Sequence, residues 1–275
     1  MEALSNQILV AVTFTFMAAS VLYLCHWAFK SKVFGWAASG VTWAAFAVLT
    51  LAIILRWVAS HQMGIGHAPF SNLFESLVFF AWTIAVIYLI IELVTWMRAI
   101  GAFTIPLAFL AMLYALSLDP AIKPLLPALK SNWLIAHVIT CFLGYAGFAI
   151  SAALGAMYLA TGQAKDPASP RALVLDNLIY QTVVVGFILL TAGIVTGSIW
   201  ANSAWGTYWS WDPKETWSLI TWLVYASLLH SRFMRGWQGK RMAVFSLVGF
   251  GCVLFTYFGV NLLLSGLHSY ATGKS

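Results

Sequence analysis

Charge is what this 275-residue chain has least of: 8% of its residues are Asp, Glu, Lys or Arg, against about a quarter in a soluble domain. So few polar groups cannot cover a water-facing surface. With 62% hydrophobic residues, the composition excludes a soluble globular protein and points to a polytopic membrane protein. Cysteine is scarce too. Cys25, Cys141 and Cys252 sit in apolar runs with no CxxC pair, which excludes a disulfide framework or dithiol redox centre and leaves them as small core residues. Acidic residues are fewer than basic ones, giving a formal charge of +6. In so apolar a chain the basic excess marks topology at helix ends, and no nucleic-acid partner is expected. The opening MEALSNQILV lacks a basic flank and a cleavage site, so the first apolar run is expected to be a retained helix rather than a signal peptide.

What is present is a series of apolar runs near 6–29, 36–58, 73–96, 100–118, 132–160, 177–200, 213–231 and 242–264, each near the roughly 20 residues that cross a bilayer. They predict an all-α, polytopic integral membrane helical bundle of about eight transmembrane helices, in a single domain over 1–275 without internal repeats. The fourth run is the shortest and contains Pro106. Of the 14 Lys and Arg residues, nine fall in linkers after the odd-numbered helices and five on the opposite side. The positive-inside rule then makes the richer side cytoplasmic and puts both termini outside.

Residues 205–217, WGTYWSWDPKETW, share that outer side, and six of the chain's 14 tryptophans (Trp200, Trp205, Trp209, Trp211, Trp217 and Trp222) fall within the 23 residues 200–222. Asp212, Pro213 and Glu215 have the pattern of a helix start with a capping box, which needs no active site. The tryptophans have two readings: an interfacial belt, or a platform for a flat aromatic ligand in an external loop over 200–217. Four of the six histidines, His61, His67, His137 and His268, also fall at outer helix ends. Below His137 a helical stripe of Cys141, Gly144 and Phe148 leaves room for a flat group against the backbone, or forms a face where helices pack.

His230 lies near the inner end of its run, 18 residues after Asp212, which is about 27 Å of helix. The two share a face with Thr216, Leu219, Leu223 and Ala226. An ionisable group at such depth is a candidate functional residue, with snorkelling toward water as the alternative.

The stretch WGTYWSWDPKETWSLITWLVYASLLHSR resembles the WWD signature and following helix of the CcsA/ResC cytochrome c biogenesis family. So do HAPFSNLFESLVFFAW at 67–82, WLIAHVITCFLGYAGF at 133–148 and GLHSYATG at 266–273. The resemblance implies a transmembrane haem-handling domain that takes haem b as substrate. With a CcsB/ResB-type membrane partner it would attach haem to an apocytochrome c bearing Cys-x-x-Cys-His, on the outer face of the bacterial cytoplasmic membrane or in the thylakoid lumen. His137 and His268 match the family's outer haem ligands, and His230 its ligand within the membrane. Trp205, Trp209, Trp211, Asp212 and Trp217 would form the haem platform. Arg56 is a candidate for a haem propionate or for an interfacial anchor. His26 could stand in for a partner histidine, or be a packed residue.

No general base stands out, so catalysis would rest chiefly on positioning thiols at haem vinyl groups. The alternative is a CcmC-like haem carrier without synthase activity. A solute transporter would call for an inverted repeat or an intramembrane acid pair, and a cytochrome b for paired histidines at equal depth.

Overall fold

The computed structural model describes residues 1–126 and 129–264. Among these it is helical without strands: α1 Glu2–Phe29, α2 Lys32–Gln62, α3 Leu73–Thr95, α4 Gly101–Ala115, α5 Asn132–Ala160, α6 Pro170–Trp205, α7 Pro213–Arg235, and α8 Lys240–Leu254, which continues through a π turn, Phe255–Gly259, to Leu263. Every helix except α7 is long and apolar enough to cross a membrane, α4 together with the 3-10 turn Arg98–Ile100 that precedes it. At 23 residues α7 has the length to span. Its Lys214, Glu215, Arg232 and Arg235 make it more polar than the rest. Large apolar side chains such as Phe14, Val21, Trp57 and Ile188 point outward, as lipid-facing positions do.

Several helices overrun their apolar windows. α6 is 36 residues long, about 54 Å, although its apolar run is 177–200. Hydropathy marks the hydrocarbon crossing, whereas the backbone stays helical until a cap ends it. Here Ser169 accepts a bond from Ala172 N–H and Pro170 follows it at the start, and Gly206 in the left-handed conformation closes the end. The expected loop over 200–217 is therefore a loop only over 206–212. Trp200 and Trp205 ride on α6, and Trp217 on α7.

The chain divides into two compact units, Met1–Lys130 and Ser131–Ser275. In the first, two carboxylates carry the polar core. Glu75, 2% exposed, accepts from Arg56 Nε at 2.8 Å and from Ser71 N–H and Oγ–H, while Asn72 caps α3 by accepting Glu75 N–H. Glu92 accepts from Tyr23 at 2.8 Å, from Tyr88 at 2.5 Å and from Ser39, with Arg98 Nε 3.4 Å away. Such buried charges are tolerated because partners meet them in position.

In the second unit α5 and α6 meet through glycine. A β-carbon built on Gly144 would stand 3.0 Å from Leu190 N and 3.1 Å from Gly186 O, and one on Gly193 would stand 2.5 Å from Cys141 Sγ. Close approach of backbones is how membrane helices gain packing energy without help from water. The stripe Cys141, Gly144 and Phe148 is thus a packing face. α6 fills the room that a flat ligand would have used.

Candidate functional site

The helix junctions at one end of the second unit form a small, partly open cleft, whose lining includes His137 and Cys141 of α5, Gly197 and Trp200 of α6, Trp209 in the loop, Lys214 and Glu215 of α7, and Thr256 of the π turn. Each wall has a local cause. Ser131 accepts Trp133 N–H and starts α5, which sets His137 one turn further in. Gly197 provides clearance for the imidazole: a β-carbon there would stand 2.5 Å from His137 Nδ1. The ring lies near-parallel to Trp200, with centroids 6.2 Å apart.

His137 Nδ1 is 2.7 Å from the carbonyl oxygen of Gly193. A carbonyl only accepts, so Nδ1 carries the proton and, in the neutral ring, the lone pair lies on Nε2. Fixing one ring nitrogen by a backbone acceptor is what orients a histidine as a metal ligand. Cys141 Sγ stands 3.6 Å from the same Nδ1.

The capping box read from Asp212 and Glu215 is present. Glu215 Oε2 accepts Ser210 N–H at 2.7 Å and Asp212 N–H at 3.2 Å, and Asp212 Oδ1 accepts Lys214 N–H at 2.9 Å. These bonds hold the short loop over the cleft. Within it Trp211 takes a positive φ of 60°, a conformation that costs a residue with a β-carbon roughly 1–2 kcal/mol, and its indole is 68% exposed.

The tryptophans therefore divide. Trp200 and Trp209 wall the cleft; Trp205 packs edge-on against Trp200 and Trp211 against Trp209. Trp217 turns to Phe255 of the π turn, 4.1 Å between centroids, and Trp222 Nε1 donates to Thr191 of α6 at 2.9 Å. A single platform of all the expected residues does not form. Trp217 braces the wall from outside the cleft lining.

The other candidates scatter. His268 lies outside the described residues. His230 is exposed near the C-terminal end of α7, and among the described residues nothing hydrogen-bonds its ring. His26 Nδ1 is 2.8 Å from the Ser31 carbonyl at the α1–α2 turn. His61 Nδ1 is 3.0 Å from the Trp57 carbonyl. His67 is buried between the carbonyls of Ala68 and Lys123.

Arg56 needs correction on both of its readings. It is 2% exposed, so it is no interfacial anchor. Its Nε, Nη1 and Nη2 donate to Glu75, Asn6 and the Pro120 carbonyl, so the carboxylate it holds belongs to Glu75 and not to a haem propionate. Sequence reasoning missed Lys214 as a cleft residue because its motif was accounted for by capping, and missed Gly197 because a glycine's neighbour across a helix pair leaves no local signal.

Residues 70–268 match the family model described as Cytochrome C assembly protein. The chain is 41% identical over 263 residues to the "Cytochrome c biogenesis protein CcsA" of Mesostigma viride, covering 84% of each. It is 39% identical over 314 residues to the protein of the same name from Synechococcus elongatus, covering 93% of this chain and 95% of the relative. Among solved structures, "Cytochrome c Heme Lyase CcmF" aligns over 99% of this chain with a TM-score of 0.75 at 18% identity, a likeness of fold. This chain spans about half the length of that structure, 49%.

Proposed function

The chain belongs to the Cytochrome C assembly protein family, and from that premise we propose that it holds haem at its outer face and presents it for covalent attachment to apocytochrome c. It is an integral membrane protein of cytochrome c biogenesis. The finer reading is that it works as a cytochrome c synthase subunit with a CcsB/ResB-type partner, with haem b as the substrate carried to the site.

The observation that carries this reading is His137. Its Nδ1–H is committed to the Gly193 carbonyl and its ring is braced by Trp200, beside a cleft that Trp209 also walls. A neutral imidazole fixed through one nitrogen suits axial ligation of haem iron through the other. His268 is the second ligand in this proposal, by its match to the family motif. Trp209, half-buried at the cleft wall, supplies a flat apolar face that buries porphyrin area with little entropy to lose, while Trp200, 1% exposed, backs the imidazole from within.

The chain's contribution to chemistry is then position and exclusion of water. Each thioether adds a cysteine S–H across one haem vinyl group, and holding the reacting atoms in register supplies most of the rate. His230, exposed on α7, is the ligand proposed for haem on its way in from the inner leaflet.

The test is co-expression with the partner and an apocytochrome bearing Cys-x-x-Cys-His, followed by haem staining of the denatured cytochrome. Thioether-bound haem that depends on His137 supports the synthase reading. Haem bound to this chain with no covalent product leaves the CcmC-like carrier, and no haem in any combination overturns both.

A further inference from the structure

The cleft contains a cation that makes no direct ion pair among the described residues. Lys214 lines it together with His137, Trp209 and Glu215, and its Nζ donates to Asn261 Oδ1 at 3.1 Å. Asn261 is itself buried, and its Nδ2 donates to the Tyr257 carbonyl at 2.7 Å, which turns its oxygen toward the lysine. An ammonium has three donors, and Asn261 accounts for one of them.

No carboxylate among the described residues comes within ion-pairing distance of Nζ. The nearby acids are engaged on the loop: Glu215 Oε2 with Ser210 and Asp212 backbone N–H, Asp212 Oδ1 with the backbone of Lys214 itself. A lysine at an outer helix start usually snorkels toward water; this one is drawn inward, half-buried, onto α8. Asp212 lies near enough to act on it at a distance, but an ammonium in an aromatic cleft with no direct ion pair is costly unless an anionic group meets it in contact.

We propose that Lys214 is the residue that receives a carboxylate of the flat ligand bound in this cleft, with the haem propionates as the acidic groups in question. The inference rests on the haem reading above and adds a positioning role: with iron at His137 and one acidic edge at Lys214, the macrocycle can no longer turn freely about the iron, so the vinyl groups take a defined direction.

The test separates the two readings. The full chain in lipid nanodiscs is titrated with haem and with haem dimethyl ester, the same macrocycle with both carboxylates blocked. Wild type should bind the ester about tenfold more weakly than haem, the loss expected for one charge-assisted hydrogen bond. Lys214→Met should bind the two alike, and Lys214→Arg should restore the difference. Equal binding by wild type, or undiminished discrimination by Lys214→Met, overturns the role of Lys214 while leaving haem binding intact. Wild type that binds neither molecule overturns the haem reading and this one with it. A measurement on wild type alone guards against a variant that fails to fold. Haem activated with a carbodiimide should form an amide at Lys214 Nζ, found by peptide mass spectrometry; coupling confined to Lys123, Lys130 or Lys274 counts against the proposal.

Discussion

His137 on α5 donates its Nδ1–H to the Gly193 carbonyl on α6, 2.7 Å away, so the tautomer of the candidate ligand is set by the packing of two helices rather than by another side chain. Packing that tight is possible because α6 presents glycine at 193 and 197 along the same face.

Gly197→Ala should therefore act as a ligand mutation without touching the ligand. Its methyl group would stand 2.5 Å from Nδ1, forcing the ring aside, and haem affinity should fall roughly 10- to 100-fold, the cost usual for disturbing what orients a metal ligand. His137→Ala should shift the absorption spectrum of bound haem as well. The paired measurement is haem titration followed by absorbance; unchanged affinity in both variants would remove His137 from the site.

Arg56→Gln should be a stability mutation. Breaking a buried ion pair leaves Glu75 uncompensated and costs about 3–5 kcal/mol, while Arg56→Gln with Glu75→Gln should lose less than Arg56→Gln alone. Thermal unfolding in detergent reads both. Haem per folded molecule should match wild type; a selective loss of haem with an unchanged melting curve would return Arg56 to the ligand.

Trp209 and Trp211 are neighbours with different tasks. Trp209→Phe narrows a cleft wall and should lower thioether formation, by about 100-fold if a vinyl group moves by an ångström, while haem still co-purifies. A normal yield of product would show that this wall does not aim the haem.

Trp211→Gly removes a strained backbone position. Relief of about 1 kcal/mol should offset the loss of an edge-to-face contact of similar size, so the unfolding midpoint should stay within about 2 °C. If stability drops well beyond that, the indole is a structural brace despite its exposure.

Reporter fusions at Gly236 and at the C-terminus should report opposite sides of the membrane, because Arg232, Arg235, Lys240 and Arg241 flank the short turn between α7 and α8. Both on one side would undo the outer placement of the cleft.

Features with a local cause could be read in the sequence. The Asp212, Pro213 and Glu215 cap depends on residues within one helical turn, and it formed as read. Helix number followed from apolar length, but helix ends did not, since α6 runs to Trp205 under caps that hydropathy does not sense. Arg56 was misjudged because its partner Glu75 lies on another helix, and charge in an apolar chain gives no hint of which opposite charge it will find. Lys214 was hidden for the opposite reason: its motif already had a sufficient local explanation, and only the arrival of Asn261 from α8 sets it apart.

The π turn at Phe255–Gly259 gives α8 a change of phase. One extra residue in a helical turn rotates everything after it by about 100° around the helix axis, so Asn261 faces Lys214 only because of that offset. The stretch works as a rotational spacer: deleting one residue from it would leave the composition of α8 nearly intact and swing Asn261 away from Lys214 and the cleft.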